Sequence, residues 1–250
     1  MKIAKLGTEP EIFFSIQGEG RNMGRPSVFV RTSTCNLYCI WCDTDYTWNW
    51  ANTSFKHIRD NSPEHAKYRR EDQILEMTPG DVALEVRKFN CTRVVLTGGE
   101  PLLQQRGLAA AMRLLKQEDK RYWFEVETNG TILPEASFDS LVDQYNISPK
   151  LANSNVERAL REVPTTLKFF ASHPRGFFKF VVTRPEDIEE IVWLAETYSI
   201  GRSSIYLMAE GTDSASLREK QQWIVELCKK HGFSFSDRLH IHLYGDKRGV

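Results

Sequence analysis

From Thr78 onward, short apolar runs alternate with longer stretches of helical period, and this alternation restricts the fold more than any other feature of the sequence. Helix is expected over residues 80–89, 104–116, 186–198 and 214–231. Strand is expected over 93–97, 122–127, 145–148, 177–182, 204–208 and 238–243, with an earlier strand over 27–31. Strands separated by helices build a parallel sheet with crossover connections, so the chain reads as an α/β protein, either an open doubly wound sheet or a full or partial barrel. In both, chemistry gathers at the C-terminal ends of the strands.

The polar segments fall where that rule requires. Cys35 to Thr44 follows the first strand, and Thr97-Gly98-Gly99-Glu100-Pro101 follows the second. Glu127-Thr128-Asn129-Gly130 ends the third, and Ser148-Pro149-Lys150 ends the fourth. Tyr46 to Gln73 keeps no sustained period and is expected as an excursion or partly mobile flap, although Trp48, Trp50 and Phe55 argue against complete disorder. No internal repeat interrupts the pattern, and residues 1–250 are expected to form one domain.

Lys plus Arg number 33 and Asp plus Glu number 33. That balance argues against direct nucleic-acid binding and against a membrane-seeking face. Residues 1–10 lack the apolar centre of a signal peptide and no later run is long enough to span a bilayer, so a cytoplasmic protein is expected. Three of the five cysteines lie between positions 35 and 42, a grouping suited to metal binding or redox chemistry rather than to a disulfide framework. Cys91 and Cys228 stand alone and read as small apolar residues.

The spacing Cys35-x3-Cys39-x2-Cys42 places three thiolates on one short loop, able to wrap a corner of a [4Fe-4S] cubane. Three ligands leave one iron open, and the amino and carboxylate groups of S-adenosylmethionine suit that position. A structural zinc site is the alternative, but it wants four ligands in paired spacing, and His57 and His65 offer no such pair. The glycine pair Gly98-Gly99 lets backbone approach a ligand closely, with the Glu100 carboxylate beside it. An ordinary strand-to-helix turn would also use these residues. Glu127 and Ser148 end strands where ribose hydroxyls find an acceptor and a donor-acceptor; a structural turn is the competing explanation.

Taken together, the cysteine loop, Glu11 to Gly20, Gly24-Arg25-Pro26, Phe29-Val30-Arg31, Cys42-Asp43-Thr44 and Gly245 to Val250 resemble the 7-carboxy-7-deazaguanine synthase family of the radical S-adenosylmethionine superfamily. The resemblance implies a partial TIM-like barrel. It also implies Mg2+-dependent conversion of 6-carboxy-5,6,7,8-tetrahydropterin to 7-carboxy-7-deazaguanine with loss of ammonia, a step towards queuosine and related deazapurines. By the same resemblance Cys35, Cys39 and Cys42 hold the cluster, and Gly98, Gly99 and Glu100 meet the methionyl amino group. Gln17 and Glu19 address the amide and guanidine-like edges of the pterin, Arg31 its carboxylate, and Thr44 a magnesium ion.

His240 matches a family histidine near the substrate, and the Val250 carboxylate closes the pocket if the tail folds back. His242, two residues on, would share a strand face with His240, so which of them reaches the pocket stays open. For Gln17 to Gly20 a hairpin turn, for Thr44 a local hydrogen bond and for the last six residues a frayed tail are the plain alternatives. The resemblance further implies a homodimer and an electron donor such as flavodoxin. A glycyl-radical activating enzyme and a non-catalytic iron-sulfur or zinc protein are the competing functions.

Overall fold

A computed structural model describes all 250 residues of the chain. Eleven strands join in one sheet: β1 Lys2–Leu6, β2 Glu9–Pro10, β3 Ile12–Ile16, β4 Pro26–Thr32, β5 Ile74–Glu76, β6 Arg93–Gly98, β7 Trp123–Thr128, β8 Gln144–Ile147, β9 Gly176–Val182, β10 Ile205–Ala209 and β11 Ser234–Ser236. The hydrogen-bonded order is β11-β10-β9-β8-β7-β6-β4-β1-β2, and every pair from β4 to β11 is parallel. The chain thus has the expected α/β architecture of a barrel that hydrogen bonds leave open. Helices Pro79–Arg87, Gln105–Glu118, Pro164–Ser172, Asp187–Tyr198 and Ser214–His231 lie among the connections.

The strands sort their residues by alternation. Phe124 and Val126 of β7, Tyr145 and Ile147 of β8, and Phe178, Phe180 and Val182 of β9 are buried in a single cluster of 40 residues that includes the helices' apolar faces. Each such side chain contributes about 1.5–3 kcal/mol by leaving water. Polar residues alternate with them: Glu125 and Glu127 of β7 stand in register with Gln144 and Asn146 of β8, and Lys179 is the polar residue of β9. The barrel interior is therefore lined with charge and amide groups.

Four antiparallel elements escaped the sequence reading. β1 and β3 pair with β4, β2 and β5 pair with β1, and the β3–β4 hairpin carries the Gln17 to Arg25 loop at its tip. That loop spans the open side of the barrel: Gly20 N donates to Ser236 Oγ at 2.8 Å, and Leu239 N donates to Gly18 O at 2.9 Å. The strand expected at 238–243 is instead the helix Leu239–Tyr244, and the last strand is Ser234–Ser236. Leu239, Ile241 and Leu243 fit both periods, and the parallel pairing of Ser236 with Met208 ends the sheet before them. In a helix, residues 240 and 242 point to nearly opposite sides rather than to one face.

The 46–73 excursion is folded into short turns, Asp45–Thr47, Ile58–Asn61 and Arg70–Gln73. Tyr46, Trp48 and His57 are buried there, and Tyr38 stacks on Phe55 at 4.2 Å. No helix is long and apolar enough to cross a membrane.

Candidate active site

The C-terminal ends of β4, β6, β7, β8 and β9 open into one cavity of about 270 Å³. Of the residues singled out in the sequence, Gln17, Glu19, Arg31, Cys35, Cys39, Cys42, Thr44, Gly98, Gly99, Glu127, Ser148, His240 and Val250 all line it. Glu100 does not.

The cysteine loop leaves β4 and is held from several sides. Gly99 N donates to Thr32 O at 3.0 Å and Glu100 N to Thr34 O at 2.9 Å, joining the loop to the end of β6. Ile40 N donates to Ser154 O and the Trp41 indole to Asn153 O, both at 2.9 Å. All three cysteines are free, and they pack with Leu37, Tyr38, Trp41 and Val156 in a small apolar cluster. Burial raises each of the three thiols, so without a metal they stay protonated. Three free thiols on one loop beside an open cavity fit a three-ligand iron-sulfur cluster.

Gly98 and Gly99 have a structural reason of their own. Gly98 adopts φ +128°, and a Cβ there would meet Thr32 O at 2.0 Å; a Cβ on Gly99 would meet Thr34 O at the same distance. The close approach they permit is first to the backbone of the cysteine loop, with the cavity beyond. Glu100 is fully buried and spent: Oε1 accepts from Leu102 N and Thr128 Oγ1 at 2.9 Å, and Oε2 accepts from Asn129 N at 2.7 Å. Burial outweighs those bonds and raises its carboxyl. Its side chain shapes the wall from behind.

A belt of alternating charge crosses the cavity. Lys179 donates to Glu127 Oε2 at 2.9 Å and also to Glu19. Arg238 Nε donates to Glu19 Oε1 at 3.1 Å, and the same guanidinium bonds Asp43. Burial would push the Glu19 carboxyl up, but Lys179 and Arg238 outweigh it and hold it well below the usual range. The Gln17 amide is engaged, donating to Glu125 Oε1 at 2.6 Å and Glu127 Oε1 at 3.2 Å. Ser148 Oγ accepts from Lys150 at 2.9 Å.

Arg31 donates through Nε to buried Glu11 at 2.9 Å, leaving its two Nη groups without a protein partner. Glu11 also accepts from Tyr46 OH at 3.0 Å and Arg248 at 2.6 Å. His240 faces Glu19 at 3.9 Å, and burial keeps its imidazole below the ordinary value, hence neutral near pH 7. His242 is turned away, bonded to Ser214 at 2.7 Å and Asp237 at 3.0 Å. Thr44 places its hydroxyl 3.5 Å from Cys42 Sγ.

Lys179 and Arg238 were missed by sequence reasoning. A lone lysine inside Phe177-Phe178-Lys179-Phe180-Val181-Val182 was the available signal, since a central strand carries a charge only where something pairs with it.

The radical SAM superfamily model matches residues 29–172. A 7-carboxy-7-deazaguanine synthase from Pyrobaculum aerophilum is 37% identical over 243 residues, covering 96% of this chain and 95% of the relative. One from Halobacterium salinarum is 36% identical, covering 94% and 90%. The crystal structure of QueE from Escherichia coli superposes with a TM-score of 0.66 at 24% identity, covering 96% of this chain and 95% of that one, which shows the shared fold. With a cavity that gathers the cysteine loop and the polar strand ends, and with these relatives along nearly its whole length, the chain belongs to the 7-carboxy-7-deazaguanine synthase family of the radical SAM superfamily.

Proposed function

We propose that this chain converts 6-carboxy-5,6,7,8-tetrahydropterin to 7-carboxy-7-deazaguanine and ammonia. The observation that carries this reading is that the three thiols share one cavity with the Glu19, Arg31 and His240 side chains. The names of the relatives support it.

Cys35, Cys39 and Cys42 are the residues that would hold a [4Fe-4S] cluster, beside which S-adenosylmethionine would bind. Bound together, these groups would supply one-electron chemistry, with the electron coming from an outside donor such as flavodoxin. Gly98 and Gly99 face the methionyl end. Glu100 fixes the Thr128-Asn129 turn beside them, so its part is positioning. Glu127 and Ser148 address the ribose.

The residues on the other wall select the pterin. Glu19, kept ionised by Lys179 and Arg238, accepts from the guanidine-like edge. Gln17 supports Glu19 through a 3.3 Å bond from Glu19 N to its side-chain oxygen. The free Nη groups of Arg31 suit the substrate carboxylate. Thr44, beside Cys42, would be the protein ligand for a Mg2+ ion, which would supply positive charge for that carboxylate. Neutral His240 is able to take or return a proton, and Val250 closes the same side. We place the active protein as a homodimer. An interior cavity crossed by fixed charges suits a small heterocycle better than the macromolecular partner of a glycyl-radical activating enzyme.

Anaerobic reconstitution, followed by reduction with S-adenosylmethionine present, tests the reading. It expects 5′-deoxyadenosine and, with carboxytetrahydropterin added, the mass of 7-carboxy-7-deazaguanine. No cofactor cleavage with or without the pterin would overturn it.

A further inference from the structure

Lys179 is the single charged residue of β9, and its side chain is 7% exposed. Two of its three N–H donors go to carboxylates on different walls of the cavity, Glu127 at the end of β7 and Glu19 in the β3–β4 loop. The two acids are not equivalent. Glu19 has a second cation in Arg238, whereas Glu127 has Lys179 alone.

We propose that Lys179 is a positioning residue through which the two halves of the cavity sense each other, so that filling the Glu19 half tightens binding in the Glu127 half. The proposal deepens the reading above and rests on it for the identity of the two occupants. The physical reason is sharing of one positive charge. N–H donors of a heterocycle that reach Glu19 take up part of its negative charge. The ammonium is then left more fully to Glu127 and fixes that side chain in place as an acceptor for hydroxyl donors of a nucleoside. Thermodynamic linkage makes the effect reciprocal. A lysine that only neutralised the cavity would change both affinities and leave their dependence on one another intact.

The test measures S-adenosylmethionine binding to reconstituted protein by equilibrium dialysis without reductant, with and without carboxytetrahydropterin. In the wild-type protein the pterin is expected to tighten cofactor binding about tenfold, within the ordinary range of coupling between two sites. In Lys179→Met the factor falls below about twofold while iron content stays at the wild-type level. Lys179→Gln, which keeps an N–H donor without the charge, gives the same loss and serves if the Met variant does not fold. Equal tightening in variant and wild type, or none in the wild type, overturns the proposal. Product formation by the reduced wild-type enzyme is scored separately. Its absence overturns the assigned reaction, whereas unchanged coupling in a productive enzyme overturns only the role of Lys179.

Discussion

The His57 imidazole Nε2 lies 2.9 Å from the carbonyl oxygen of Cys42, so a residue of the 46–73 excursion grips the loop that carries the three thiols. Arg59 N donates to Nδ1 at 3.2 Å, which leaves the hydrogen on Nε2 for Cys42. Ile58 N donates to Ile40 O at 2.9 Å and adds a second tie. His57→Ala removes a bond of about 1 kcal/mol and buried packing besides, a total of about 1–3 kcal/mol. Iron retained after reconstitution is expected to fall by about half or more, with far-ultraviolet dichroism preserved. Wild-type iron content and melting temperature together would count against the grip.

Cys39→Ala is expected to abolish the broad visible absorbance of the cluster, because two thiolates cannot hold a cubane corner. Cys228→Ala is the control. That thiol is buried in the main core and bonded to Ser234 O at 3.4 Å, so its loss costs stability, on the order of 1 kcal/mol, with the absorbance intact. Absorbance surviving in the Cys39 variant would show that Cys39 is no ligand.

Thr44→Ala keeps the cysteines and removes the hydroxyl beside Cys42. Turnover at saturating Mg2+ is expected to drop about tenfold, the equivalent of about 1.4 kcal/mol, and its dependence on Mg2+ to flatten while the visible absorbance persists. A metal titration of turnover identical to that of the wild type would remove Thr44 from the magnesium site.

Glu125 lies fully buried below Glu127 on β7, where burial first and the neighbouring Glu127 charge second raise its carboxyl from 4.5 to about 7. The folded value exceeds the unfolded one, so this group's contribution to stability is full below about pH 4.5 and is lost as the pH rises through about 7. A shift of this size is worth on the order of 3 kcal/mol. Glu125→Gln removes the titration. Urea unfolding at pH 5 and pH 8 should therefore show a smaller loss of stability in the variant than in the wild type. Parallel losses in the two proteins would mean that Glu125 is ionised throughout that range.

Much of the strand-and-helix order from Thr78 to His231 was legible because its longer elements carry a clear apolar face, as in the helix Gln105–Glu118, whereas the helix Pro164–Ser172 was not expected. The site followed from it, since the ends of parallel strands share one rim and thereby bring Cys35, Gly98, Glu127 and Ser148 together. The antiparallel strands at the start were less legible. Lys2–Leu6 and Ile12–Ile16 are short, and long-range pairing with β4 and β5 decides their state. The 238–243 segment shows the limit of periodicity, because six residues with alternating apolar side chains satisfy either period. Glu100 shows a different limit: a carboxylate at the right place in a motif says nothing of where its oxygens go, and backbone N–H groups of the adjoining turns claim them.

Glu11 joins Arg31, Tyr46 and Arg248, and its bond to Arg248 closes a sequence separation of 237 residues. On a ribosome the cysteine loop emerges long before that arginine does. Until residue 248 is out, the Glu11 carboxylate lacks one of its two cations and Tyr46 lacks the guanidinium that lies 3.5 Å over its ring. Contacts so distant in sequence form late, after the local strand-helix units have settled. Synthesis order therefore delays completion of the cavity wall, and a nascent chain that already displays all three thiols still has an open flank.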